Sequence, residues 1–176
     1  RIIGHEITGE IVEVGPAVTG LTVGVPVTAY YYLNCGHCRW CLSGLEPLCE
    51  ASEGNVGKDC DGGYAEYIKL PSSNFISLPE GLDYKAYPAE IGVITDALAT
   101  PLKVLKRGRV KAGETIVVFG AGGGLGIHML MIAHWAHARV IAVDVAASKL
   151  DACREAGADE IVDATAGNVT DALLEL

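Results

Sequence analysis

The chain has 176 residues, enough for one domain or parts of two, and half are apolar against 20% charged, so a packed core is attainable and wholesale disorder is excluded. Thirteen Lys and Arg against 22 Asp and Glu give a net charge of −9 with no basic run, which argues against a nucleic-acid or anionic-membrane partner. No apolar stretch reaches the roughly 18 residues of a spanning helix, and nothing at the start reads as a secretory leader.

In chain order, residues 1 to about 80 read as short strands punctuated by glycine and proline. "ITGEIVEVG", "VPVTAYYYL", "GGYAEYIKL" and "FISLP" mix β-branched or aromatic residues with turn residues, and helical periodicity is absent. After Pro88, "AEIGVITDALATPLKVLKRG" carries apolar residues at helical spacing and closes on Lys106, Arg107 and Gly108, a helix C-terminus signature. From Thr115 the elements alternate: "TIVVF" as strand, "IHMLMIAHWAH" as a helix apolar nearly all round, "RVIAV" as strand, "SKLDACREAG" as a helix stopped by Gly157, then "EIV" and a helical "TDALLEL". Such βαβ units predict a parallel sheet covered by helices. The expected domains are 1–88, β-rich, and 89–176, α/β. The chain opens inside a dense polar motif at Arg1 and ends in a helix without a stop signal, so it is expected to be an internal section of a longer chain.

Four of the six cysteines, Cys35, Cys38, Cys41 and Cys49, fall in "NCGHCRWCLSGLEPLCE", with gaps of two, two and seven residues. Four thiolates this close can converge on one tetrahedral cation, which predicts a structural zinc site. Disulfides would suit a secreted chain, which nothing here indicates. An iron–sulfur cluster shares the opening spacing, but its fourth cysteine follows after three residues and precedes proline, whereas Cys49 precedes Glu50. His37 is read as a solvated loop residue, Cys60 as a loop thiol and Cys153 as a small buried hydrophobe. His128, His134 and His137 share one helix and are expected to pack at the core or its edge.

"VVFGAGGGLGIHML" sets Gly120, Gly122, Gly123, Gly124 and Gly126 between a strand and a helix, where a pyrophosphate needs a tight turn and free N–H groups. The strict dinucleotide fingerprint is not met, because its third glycine would fall on Leu125. The strand-to-helix context still favours nucleotide binding. Asp144 ends the next strand, where a carboxylate takes the adenosine ribose hydroxyls and repels a 2′-phosphate, favouring NAD over NADP. Lys149 lies within reach of the same ribose, or is a solvated helix lysine.

Together, "GHEITGEIVEVG", the four-cysteine lobe, "DGGYAEYI" and "GAGGGLG…VIAVD" resemble the zinc-dependent medium-chain alcohol dehydrogenases along essentially the whole chain. The resemblance implies a partial GroES-like catalytic domain followed by a partial Rossmann domain with a doubly wound parallel sheet, from a parent roughly twice as long. It implies that His5 is a ligand of a catalytic zinc lying between the domains, that Glu6 is its acidic neighbour, and that the cysteine lobe holds structural zinc. The family's further ligand, usually a cysteine, aligns with Asp96, a harder donor that would bind directly or through water. Thr100 aligns with a residue facing the nicotinamide. A second departure is "VGVPV", where Val25 and Pro26 replace a charged pair.

The expected function is NAD-dependent oxidation of an alcohol, with a small alcohol or carbonyl as substrate, zinc as the metal, a cytoplasmic location and a homo-oligomeric full-length form. The chain by itself is expected to be nearly inactive. The opposing expectation is a non-catalytic, zinc-bearing, nucleotide-binding module.

Overall fold

The computed structural model describes all 176 residues and divides into two compact units, Arg1–Thr95 and Asp96–Leu176.

In the first unit, β1 (Thr8–Glu10), β2 (Pro26–Ala29) and β5 (Phe75–Ser77) form an antiparallel sheet in the order β1-β2-β5, with Gly9 opposite Val27 and Thr28 opposite Ile76. Proline opens β2, where a missing donor is tolerated. Val27, Thr28 and Ala29 behind it are buried, and the Thr28 hydroxyl donates to the Ile7 carbonyl at 3.0 Å. A ribbon of β3 (Tyr32–Leu33) and β4 (Gly54–Asn55) carries the cysteine lobe between its strands. The lobe contains α1 (Arg39–Leu42), a helix the strand-rich reading of this region did not foresee, and a 3-10 turn at Glu46–Leu48.

Two further elements differ from the sequence reading. "GGYAEYIKL" forms no strand. Instead the N–H groups of Gly62, Gly63 and Tyr64 donate to the carbonyls of Ile2, Gly4 and Ile3 at 2.8–3.0 Å, because paired glycines let two backbones approach more closely than a ladder does. The helix expected after Pro88 is broken into α2 (Pro88–Gly92), a 3-10 turn at Val93–Thr95, and α3 (Ala99–Gly108). Gly92 and the β-branched run Val93, Ile94, Thr95 disfavour continuous helix. Pro101 would clash with a preceding turn if the helix ran on, but in the first turn of α3 its missing N–H costs nothing. Gly108 is still helical, and the left-handed position that ends α3 falls to Arg109, at φ 54°.

The second unit is a parallel sheet, β6 (Thr115–Phe119), β7 (Arg139–Asp144) and β8 (Glu160–Asp163), in the order β6-β7-β8. Helices α4 (Gly124–Trp135), α5 (Leu150–Glu155) and α6 (Val169–Leu174) connect and follow the strands. Central β7 is buried on both faces, as crossover helices require. Val140 and Ala142 pack with Leu105, Leu130, Ala133 and Cys153, while Ile141 and Val143 pack with Val162, Val169, Ala172 and Leu173. The two-residue alternation along one strand thus serves two cores. Helix α4 buries Leu130 and Ala133, whereas Met131, His134 and Trp135 are exposed and His137 follows the helix at φ 60°.

Candidate metal centre and nucleotide turn

The cysteine lobe is built by local geometry. Gly36, at φ 73°, turns the chain between Cys35 and Cys38, and α1 then places Cys41 one turn beyond Cys38. Cys49 returns after the 3-10 turn. The four sulfurs lie within 4.8 Å of one another, and Cys41 is buried. Cys41 Sγ is 3.5 Å from Cys38 Sγ and 3.9 Å from Cys35 Sγ, too long for disulfides, and all six cysteines are free. Sulfurs about 2.3 Å from one zinc ion sit about 3.8 Å apart in a tetrahedron, so the donor set fits such an ion.

Backbone N–H groups support negative charge on this set. Cys35 N–H donates to Cys49 Sγ at 3.3 Å and Cys38 N–H to Cys35 Sγ at 3.4 Å. The Cys41 N–H pulls the Cys38 thiol down to about 6, while burial pushes Cys41 up to about 12. Four thiolates held this close together require a positive charge at their centre. His37 stands at the rim, its Nδ1 2.7 Å from the Cys35 carbonyl oxygen. Arg39 pairs with Glu50 at 2.8 Å across the exposed edge.

The five glycines of the turn do different work. Gly120, at φ 67°, makes the left-handed exit from β6. A β-carbon on Gly126 would overlap the carbonyl oxygen of Gly120 and lie 2.6 Å from that of Ala121, so Gly126 is the close-packing glycine, one residue later than the strict fingerprint demands. One on Gly122 would fall 2.6 Å from Lys149 Cβ and 3.2 Å from Asp144 Oδ2. Gly123 precedes α4 without a side-chain cap, leaving first-turn N–H groups available to a phosphate, and Gly124 faces open space.

Asp144 is buried at the end of β7. Its Oδ1 accepts the Ala146 N–H and its Oδ2 the Gly122 N–H, each at 2.8 Å. These two bonds, Ala146 first, hold its carboxyl below the usual carboxylate range, and the Lys149 charge adds to them. An ionised carboxylate is thereby fixed beside the glycine turn.

His5 is half-buried, with its ring centroid 4.8 Å from that of Tyr31, and Glu6 is exposed. Both follow the segment clasped by Gly62–Tyr64. In the second unit the Thr100 hydroxyl donates to Asp96 Oδ1 at 3.0 Å, and the Thr100 N–H to the Asp96 carbonyl at 2.8 Å, so the two side chains are locked together at the start of α3. Sequence reasoning passed over Tyr31 and buried Asn74. Three consecutive tyrosines immediately before the cysteine lobe were the available signal.

Residues 1–80 match the alcohol dehydrogenase GroES-like domain, and residues 124–176 match the zinc-binding dehydrogenase family. An alcohol dehydrogenase of Geobacillus stearothermophilus is 40% identical over 163 residues, 92% of this chain and 47% of its own. An L-threonine 3-dehydrogenase of Sinorhizobium medicae is 37% identical over 173 residues, 98% of this chain and 48% of its own. Among solved structures, the alcohol dehydrogenase of Aeropyrum pernix superimposes with a TM-score of 0.87 at 31% identity, covering 98% of this chain and 50% of that one. This chain spans about half the length of the curated relatives it matches.

Proposed function

Because the chain belongs to the zinc-dependent medium-chain dehydrogenase family, we propose that the whole protein is an alcohol dehydrogenase that passes hydride from a small alcohol to NAD. The observation carrying this reading is the Asp144 carboxylate, bonded to the Gly122 N–H at the end of β7. Held there as an anion, it accepts the adenosine ribose hydroxyls and disfavours a 2′-phosphate. The free first-turn N–H groups of α4 receive the pyrophosphate.

The cysteine lobe is assigned to a structural zinc ion. His5 and Glu6 in the first unit and Asp96 in the second are the donors that the family resemblance offers to a second zinc ion, which when bound would supply the Lewis acidity that makes an alcohol hydroxyl a stronger acid. His5 offers an imidazole nitrogen and Asp96 a carboxylate oxygen as donors. Thr100, bonded to Asp96 Oδ1, orients that carboxylate, and by the family resemblance it would face the nicotinamide. The functional division is 1–88 for the catalytic portion and 89–176 for the nucleotide portion.

The substrate is an alcohol or its carbonyl product, and the full protein is a cytoplasmic homo-oligomer. No helix is long and apolar enough to cross a membrane. The test is a steady-state assay of the whole protein over primary, secondary and polyol alcohols with NAD and with NADP, beside metal analysis by mass spectrometry. Alcohol-dependent NADH formation with two zinc ions per chain is the expected result. NAD affinity and one zinc ion without turnover on any alcohol would replace the proposal with a non-catalytic module.

A further inference from the structure

We infer that Asn74 is a positioning residue for His5, acting through the backbone of the tyrosine triplet and the ring of Tyr31. Asn74 is 3% exposed, one of only four buried polar or charged side chains. Its amide nitrogen donates to the Tyr30 carbonyl at 2.6 Å and to the Tyr32 carbonyl at 2.9 Å, spending both of its hydrogens on the residues that flank Tyr31. Its own carbonyl accepts the Tyr30 N–H at 2.7 Å. On the intervening residue, the Tyr31 carbonyl accepts the Val56 N–H at 2.9 Å. Three successive carbonyls are thus tied down, two by one side chain 42 and 44 positions away.

The tie has an evident object. The Tyr31 ring lies 4.8 Å from the His5 ring and 4.4 Å from the Tyr32 ring, and Tyr32 in turn lies 5.5 Å from Tyr30. A ring in contact with both His5 and Tyr32 keeps its place only while its backbone does. The buried amide fixes that backbone, and the aromatic contact passes the restraint to the imidazole. A buried amide with both donors satisfied in this way adds rigidity, because releasing it strands polar groups. The consequence for the metal rests on the proposed reading of His5 as a ligand. The mechanical link between Asn74 and His5 does not.

The test separates the two. The protein is labelled at histidine ring carbons, the His5 resonance is assigned by its loss in His5→Gln, and its ring-current displacement from the free-histidine position is read. Asn74→Asp, nearly isosteric but with two acceptors facing two carbonyls, is expected to abolish the displacement, as is Tyr31→Ala, whereas Tyr31→Phe keeps the ring and retains it. Should Asn74→Asp fail to fold, Asn74→Ser, which keeps a single donor, is expected to shrink the displacement. In the zinc-loaded whole protein, Asn74→Asp and Tyr31→Ala are further expected to weaken the His5-dependent metal roughly tenfold or more against a competing chelator, with the cysteine-lobe metal retained. A folded Asn74 variant whose His5 resonance is unmoved overturns the inference, and so does an unmoved resonance in Tyr31→Ala. A displaced resonance with no His5-dependent metal in the parent protein would instead overturn the catalytic reading and leave this link intact.

Discussion

Gly62 lies so close to Gly4 that a β-carbon on Gly62 would overlap the Gly4 carbonyl oxygen and stand 2.5 Å from Gly57 Cα. The obstruction is backbone on both sides, so no side chain can swing away. Gly62→Ala is therefore expected to destabilise the first unit by about 1–3 kcal/mol, outweighing the few tenths gained from a less flexible unfolded chain. Gly9→Ala, at a strand position with nothing within 4 Å, serves as the control and should be neutral or mildly stabilising. Urea denaturation of the two variants beside the parent measures both, and equal midpoints would remove the steric argument.

The glycine turn offers a second contrast. Gly122→Ala must displace Lys149, whose Cβ lies 2.6 Å from the new carbon, and so moves the Asp144 side of the turn. NAD affinity should fall at least tenfold by calorimetric titration. Gly124→Ala meets nothing within 4 Å and sits in the first turn of α4, where alanine is favoured over glycine by up to about 1 kcal/mol. Its ligand-free melting temperature should rise.

Asp144 links stability to pH. Its folded carboxyl is held below the unfolded aspartate value of about 3.9 by the N–H groups of Ala146 and Gly122, so its contribution is fully present above that value. It is lost as pH falls through the lower folded value. Asp163, held down by Thr165, and Asp59, held down by Asn55, act in the same sense. The Asp144 contribution, read as the difference in urea midpoint between the parent and Asp144→Asn, should be flat from pH 7 to about 5 and decline below about 4. The same variant should lose about 1.5–3 kcal/mol of NAD binding, roughly ten- to hundred-fold, and narrow the preference over NADP.

Cys41 is the buried member of the sulfur cluster. Cys41→Ser should reduce the metal bound at the lobe from one ion to none by mass spectrometry. Taking about 3 kcal/mol as a floor for the lost metal, the melting temperature should fall by roughly 6–12 °C. Retention of the ion would assign the coordination to other residues.

Arg109 occupies a left-handed backbone position, φ 54°, that glycine accepts without penalty. Arg109→Gly is expected to stabilise the second unit by about 1 kcal/mol, observable as a higher urea midpoint with unchanged slope.

From Thr115 onward the second unit was legible in the sequence almost element by element, because strands and helices alternate there and each strand is a short apolar run beside a longer helical segment. Gly157 closes α5, and the alternation in "RVIAVD" serves the two faces of β7. The first unit was less legible. "GGYAEYIKL" has the composition of a strand, yet its glycines are used for contact with Gly4, and α1 is too short to show a period. The glycine beside the end of α3 pointed to the right place one residue early, since local signals do not distinguish the last helical residue from the first left-handed one.

By itself the sequence determined the order of strands and helices after Thr115, the grouping of four cysteines within 15 residues, and the carboxylate that follows the glycine turn. These are properties of neighbours along the chain, where spacing alone limits what the backbone can do. The tertiary structure decided which backbone lies against Gly62, which ring touches His5, and which amide holds the carbonyls around Tyr31. Those partners stand 26 to 58 positions apart, and only the folded path of the chain brings such residues to one point.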